Sequence, residues 1–210
     1  EAGQDVLTTT APAGLIWHQV TAAKPVSATP TSATWDLTLT DDLHGRLELN
    51  RLVSRRFELR FFADPMNTAS PTSPAGAAMI PRAIAYMRVR TQIDPREGLY
   101  GMGEWPDGVN HRGKIRPMQI EIDTLESENN ENHVPIPLVI GTRGWGLFVE
   151  SRRVGSFNLG AGSPDVVQAT FGTAEDSRDG LRVHLFATPD GKPLDALRHY
   201  YDVTGNPALP

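Results

Sequence analysis

The densest run of oxygen donors in this 210-residue chain is Asp123-Thr-Leu-Glu-Ser-Glu-Asn-Asn-Glu-Asn-His133, far more polar than a turn requires. Carboxylates and carboxamides spaced this way could hold hydroxyl groups, because a carboxylate accepts two hydroxyl protons and an amide pairs a donor with an acceptor. The same run also reads as a solvated acidic loop, the usual setting of clustered charge. A Ca2+ site built from Glu126, Glu128, Asn130 and Asn132 is a third reading, but the Asp-x-Asp-x-Asp-Gly pattern that turns an EF-hand loop is absent, so no metal is expected.

Other reactive groups are few. The six histidines, at 18, 44, 111, 133, 184 and 199, never fall at His-x-x-x-His spacing, which argues against a metallohydrolase. The absence of cysteine removes a disulfide framework, a thiol nucleophile and thiolate-bound zinc. No Gly-x-Ser-x-Gly elbow, phosphate-binding loop or dinucleotide fingerprint occurs, so no cofactor is expected. Glu104 could act as a catalytic carboxylate, yet its place after Gly101-Met-Gly103 suits a loop-fixing role, accepting hydrogen bonds from backbone or from Arg112. Trp105 and Trp145 could stack on flat apolar faces of a ligand, or pack within the domain as tryptophans more often do.

The elements that must position these groups are strands. Trp35, Leu37 and Leu39 alternate with polar or smaller residues, as do Phe57, Leu59 and Phe61, then Met87, Val89 and Ile93, then Met118, Ile120 and Ile122. This period of two marks half-buried antiparallel strands. Further strands are expected over 138–141, 145–150, 156–160, 166–171 and 181–187, separated by turn signals at Asp41-Asp42 with Gly45, Asp64-Pro65, Asp94-Pro95 and Asp179-Gly180. Many short strands at this spacing predict an all-β fold, a two-layer antiparallel sandwich. Residues 67–81, with three prolines, read as a long loop.

Both ends differ from this rhythm. Residues 1–34 are rich in Thr, Ala, Pro and Ser and read as an extended arm joining a sandwich over 35–190. Over 191–210, Leu194, Leu197 and Tyr201 fall at helical spacing, Pro193 suits a first turn, Asp195 complements the helix dipole and Gly205 is a natural stop, so a linker helix followed by a connector is expected. A net charge of −5 provides no basic footprint for nucleic acid, and no apolar run approaches the roughly 18 to 20 residues that span a bilayer. Neither nucleic acid nor membrane is expected as a partner. A cytoplasmic and a secreted or periplasmic bacterial location both remain open.

Five motifs occur in order: Tyr100-Gly-Met-Gly-Glu104, Asn110-His-Arg-Gly113, the Asp-ending strand at 119–123, Ile136-Pro-Leu138 and Arg143-Gly-Trp-Gly-Leu-Phe-Val149. Together with Thr204-Gly-Asn-Pro-Ala-Leu-Pro210, this order resembles the N-terminal, galactose-mutarotase-like β-sandwich of glycoside hydrolase family 31, the α-glucosidase and α-xylosidase family. The resemblance covers roughly residues 35 to 210. It implies a non-catalytic domain of a retaining α-glycosidase, linked to a (β/α)8 barrel in the same polypeptide, acting on an α-linked oligosaccharide or glycoside. It also implies that the catalytic Asp pair lies in the barrel, outside these residues, and that Asp123 contacts sugar hydroxyls. Two alternatives stand beside it. One is a free-standing carbohydrate-binding sandwich. The other is a mutarotase-type sugar epimerase, which would need a base from His111 or His184.

Overall fold

In the computed structural model, the described residues are 16–64, 86–118, 134–173, 180–188 and 192–207. Among them the chain forms twelve strands, all paired antiparallel, in two sheets. The first four strands form a meander: β1 (Val20–Ala28), β2 (Ser32–Leu39), β3 (His44–Val53) and β4 (Arg56–Ala63). They are followed by β5 (Tyr86–Gln92), β6 (Leu99–Gly103), β7 (Ile115–Met118) and β8 (Pro135–Gly141). The last four are β9 (Trp145–Glu150), β10 (Gly155–Leu159), β11 (Val166–Gly172) and β12 (Leu181–Ala187). An eight-stranded sheet runs in the order β1-β2-β3-β4-β12-β9-β8-β6, and a four-stranded sheet in the order β5-β11-β10-β7.

The alternation read from the sequence is what packs these layers. Val139, Leu147, Val149, Leu181 and Val183 of the large sheet meet Phe157, Leu159, Val167, Ala169 and Phe171 of the small one in a single buried cluster. Phe157 and Phe171 sit edge to face, with ring centroids 5.4 Å apart. Turn chemistry places the strands in register: Asp41 and Asp42 adopt positive φ between β2 and β3, and the Asp94 carboxylate receives the Arg96 backbone N–H after β5.

One helix, α1 (Asp195–Thr204), covers part of the opposite face of the large sheet. Its buried contacts come from Ala196, Leu197, Tyr200 and Val203, which lie over Leu138, Ile140, Phe148 and Phe186 of β8, β9 and β12. The apolar stripe is therefore displaced from the predicted Leu194, Leu197 and Tyr201: Leu194 precedes the helix and is 73% exposed. The reason is the sheet surface: a Cβ at Gly146 would stand only 3.1 Å from the Ala196 methyl, so the glycine leaves the room that Ala196 occupies and sets which side of the helix faces down. Gly205 terminates the helix as expected, with φ 89 and its N–H on the Tyr201 carbonyl. Arg56 of β4 ties the far end through Asp202 at 3.4 Å.

Because Phe157 is completely buried at the centre of the sandwich, Phe157→Ala is expected to lower the unfolding free energy by about 3–5 kcal/mol. Urea denaturation followed by tryptophan fluorescence measures this, and a loss below that of a surface substitution would show the two sheets not to share one core.

Candidate functional site

At the edge of the large sheet, β6 pairs with β8 through a bulge between Gly101 and Gly103. Gly101, Met102 and Gly103 all have positive φ, at 103, 68 and 93, and Met102 is fully buried. A Cβ at Gly101 would overlap the Leu138 carbonyl oxygen, and one at Gly103 the Val134 carbonyl oxygen. Glycine is required at both positions by this left-handed turn and close approach.

The turn directs two carbonyls toward the segment that follows, and that segment supplies their donors. His111 Nε2 donates to the Gly101 carbonyl at 3.0 Å, and the Trp105 indole N–H donates to the Met102 carbonyl at 3.1 Å. Since a carbonyl only accepts, His111 carries its proton on Nε2, which leaves Nδ1 to accept from Arg116 Nε at 3.2 Å. Arg116 continues to Asp107 at 2.6 Å and lies over the Trp105 ring, 4.1 Å from its centroid. Lys114 holds the other Asp107 oxygen at 2.8 Å.

Electrostatics keep this network in one protonation state. Burial, reinforced by the adjacent Arg116 charge, pushes the His111 imidazole below its ordinary pKa of 6.5 and keeps it neutral. Burial opposes ionisation of Asp107, but hydrogen bonds from Lys114 and Arg116 outweigh it and hold its carboxyl below the usual range.

A second set of bonds joins the neighbouring motifs. Asn110 Oδ1 accepts the N–H groups of Leu99 and Arg112, and Arg112 donates to the carbonyls of Glu97 and Pro164. The Glu97 carboxylate, only 3% exposed, takes the Trp145 indole N–H at 2.9 Å. Three runs separate in sequence, 97–104, 107–116 and 143–149, thus meet in one network.

The structure decides between several of the sequence readings here. Arg112 serves main-chain carbonyls and does not pair with Glu104, which is exposed, because the left-handed turn aims the neighbouring backbone elsewhere. Trp105 and Trp145 are half-buried, with their indole N–H groups engaged inside the domain. His111 has both nitrogens bound and is no free base. His184, on β12, bonds Glu150 at 2.8 Å and stacks against Phe148, on the face that carries α1. Asp123 lies outside the described residues, as do the proposed Ca2+ donors Glu126 to Asn132. Glu97, Asp107 and Arg116 were not singled out from sequence. No strand or helix period links 107, 114 and 116, so no local signal announces the cluster.

The family described as the glycosyl hydrolase 31 N-terminal galactose mutarotase-like domain matches residues 15–157. The chain belongs to that family. It is 27% identical over 173 residues to the alpha-xylosidase XylQ of Lactiplantibacillus pentosus, covering 79% of this chain and 21% of that protein. The chain thus spans about a fifth of the length of this curated relative. Its fold matches the cycloalternan-forming enzyme of Listeria monocytogenes, solved with a pentasaccharide substrate, with a TM-score of 0.72, 15% identity, and 91% of this chain against 22% of the other. A cycloalternan-degrading enzyme of Trueperella pyogenes, solved with isomaltose, matches with a TM-score of 0.53 and 17% identity, over 86% of this chain and 33% of the other. This is the N-terminal sandwich domain of that family, and the network ties together glycines, a histidine and a tryptophan that lie within the matched residues.

Two outcomes follow from the network. A histidine whose pKa is lowered on folding stabilises the native state above its unfolded pKa, and that contribution is lost as pH falls through 6.5 toward the folded value. Urea midpoints of the parent should therefore drop below about pH 6.5 more steeply than those of His111→Gln; equal slopes would remove His111 from the pH response. Gly103→Ala should destabilise by about 1–3 kcal/mol or more in the same assay, through positive φ and carbonyl overlap.

Proposed function

We propose that this sandwich is the non-catalytic N-terminal domain of a retaining α-glycosidase, α-glucosidase-like in its chemistry. It packs on a (β/α)8 catalytic barrel in the same polypeptide and supplies a loop to the substrate pocket. In this organisation the arm over 1–34 joins the sandwich, and residues 191–210 lead from it to the barrel. The catalytic Asp pair belongs to that barrel, and the substrate is an α-linked oligosaccharide or glycoside. The observation carrying the proposal is the family match over residues 15–157, in a chain that spans about a fifth of its curated relative.

Asp123 is the residue assigned to a sugar hydroxyl. Support comes from its position: it follows five residues after Met118, the end of β7, where Arg116, Pro117 and Met118 are buried and Arg116 is held by His111 and Asp107. A strand anchored this firmly provides a fixed point from which a polar segment can be offered to a neighbouring domain. The carboxylate accepts two hydroxyl protons, and a hydrogen bond to a charged group contributes roughly 1.5–3 kcal/mol.

Two measurements test the reading. The intact mass of the protein as its source makes it should exceed 23.0 kDa by several tens of kilodaltons; a mass near 23.0 kDa would favour the free-standing binding module. In the intact protein, Asp123→Ala should lower kcat/KM on α-glycosides by about ten- to a hundredfold, with urea stability unchanged. Unaltered kinetics would remove Asp123 from the pocket.

A further inference from the structure

The face of the large sheet that α1 covers over β8, β9 and β12 has no helix over β1–β4 among the described residues, and there it holds a cleft of 620 Å3. Register builds the cleft. Lys24, Asp36, Arg46 and Phe62 form one row across the four strands, and Thr38 and His44 form part of the next row on the same face. Gly45, paired with Leu37 and Ala63, lies between the rows and contributes backbone to the lining. Glu48 and Asp64 add carboxylates to the lining.

The chemistry of the lining selects its ligand. Lys24 and Arg46 are opposed by Asp36, Glu48 and Asp64, so neither sign dominates and there is little to recruit a simple ion. Arg46 Nε and Asp36 Oδ1 stand 3.5 Å apart, and their side chains are 53% and 57% exposed. At that separation the guanidinium N–H groups and carboxylate lone pairs can still meet a ligand. Phe62, half-buried, offers an apolar surface beside them. Alternating donors and acceptors around an aromatic surface suit a neutral molecule with hydroxyls at its edge and C–H groups on its face. The volume falls within the roughly 300–1,000 Å3 of small-molecule sites.

We infer that the cleft over β1–β4 binds a neutral, hydroxyl-rich ligand, a short oligosaccharide. The choice of sugar class rests on the glycosidase-domain reading; the charge balance and the shape do not. The test is a titration of the 15N-labelled chain with isomaltose, followed by amide shifts. The backbone amides of Thr38, Gly45 and Ala63 should move and saturate, with an apparent affinity insensitive to added salt because the ligand is uncharged. Asp36→Ala should weaken binding by about tenfold while the rest of the spectrum is preserved. The inference is overturned if millimolar isomaltose moves no cleft amide, moves only residues elsewhere, or binds equally well to Asp36→Ala. None of those results bears on the glycosidase-domain reading, which the mass and kinetics of the intact protein test separately.

Discussion

The hydrogen bond from His111 to the Gly101 carbonyl organises the motif-bearing edge of this domain. Three successive residues in positive φ interrupt the regular ladder between β6 and β8, and buried carbonyls left unpaired are costly. A neutral histidine resolves this at the Gly101 carbonyl while accepting from Arg116 on its other nitrogen. Arg116 can then hold Asp107 and lie on Trp105, whose indole satisfies the Met102 carbonyl. The cycle closes on the turn it started from, so each member is positioned by the others.

This edge lies beside a sandwich of unequal layers. Eight strands face four, and the common core is built where β12, β9 and β8 lie against β10 and β11. The reverse face of the same central strands is apolar beneath α1 and becomes charged toward β4, where Arg182 bridges Glu58 and Glu150. Farther out, over β1–β4, that face carries the polar cleft. A single sheet therefore presents a helix-covered patch, an ion-pair network and an open concavity in sequence across its width. For a domain of a glycosidase family, such a sheet separates the surface used for packing from the surface available to ligands.

The motifs that carry the family resemblance acquire a physical meaning from these contacts. Tyr100 to Glu104, Asn110 to Gly113 and Arg143 to Val149 are not isolated turns. Asn110 binds the Leu99 N–H, Arg112 binds the Glu97 carbonyl, and the Glu97 carboxylate binds Trp145. The order of motifs in the chain reflects a set of mutual hydrogen-bond obligations around one bulged strand.

Much of the architecture was legible in the sequence because alternation is local. A period of two across Phe57 to Phe61, or across Val166 to Phe171, states which side of a strand is buried before any partner is known. Turn residues such as Asp41-Asp42 and the stop at Gly205 were legible for the same reason, since backbone sterics act within a few residues. The helix was readable as a helix, but its buried side was not, because Gly146 and Phe148 of a strand some fifty residues away select Ala196 and Tyr200 over Leu194 and Tyr201. Likewise, nothing local assigns Glu97 to Trp145 or Asp107 to Arg116; burial in a shared network does. Strand periodicity and turn chemistry are properties of neighbours in the chain, so the sequence by itself determined the sandwich, and the order of its motifs carried the resemblance to the family. Pairing of charged and polar groups depends on which strands become adjacent, so only the tertiary structure decided the network at the bulge and the cleft over β1–β4.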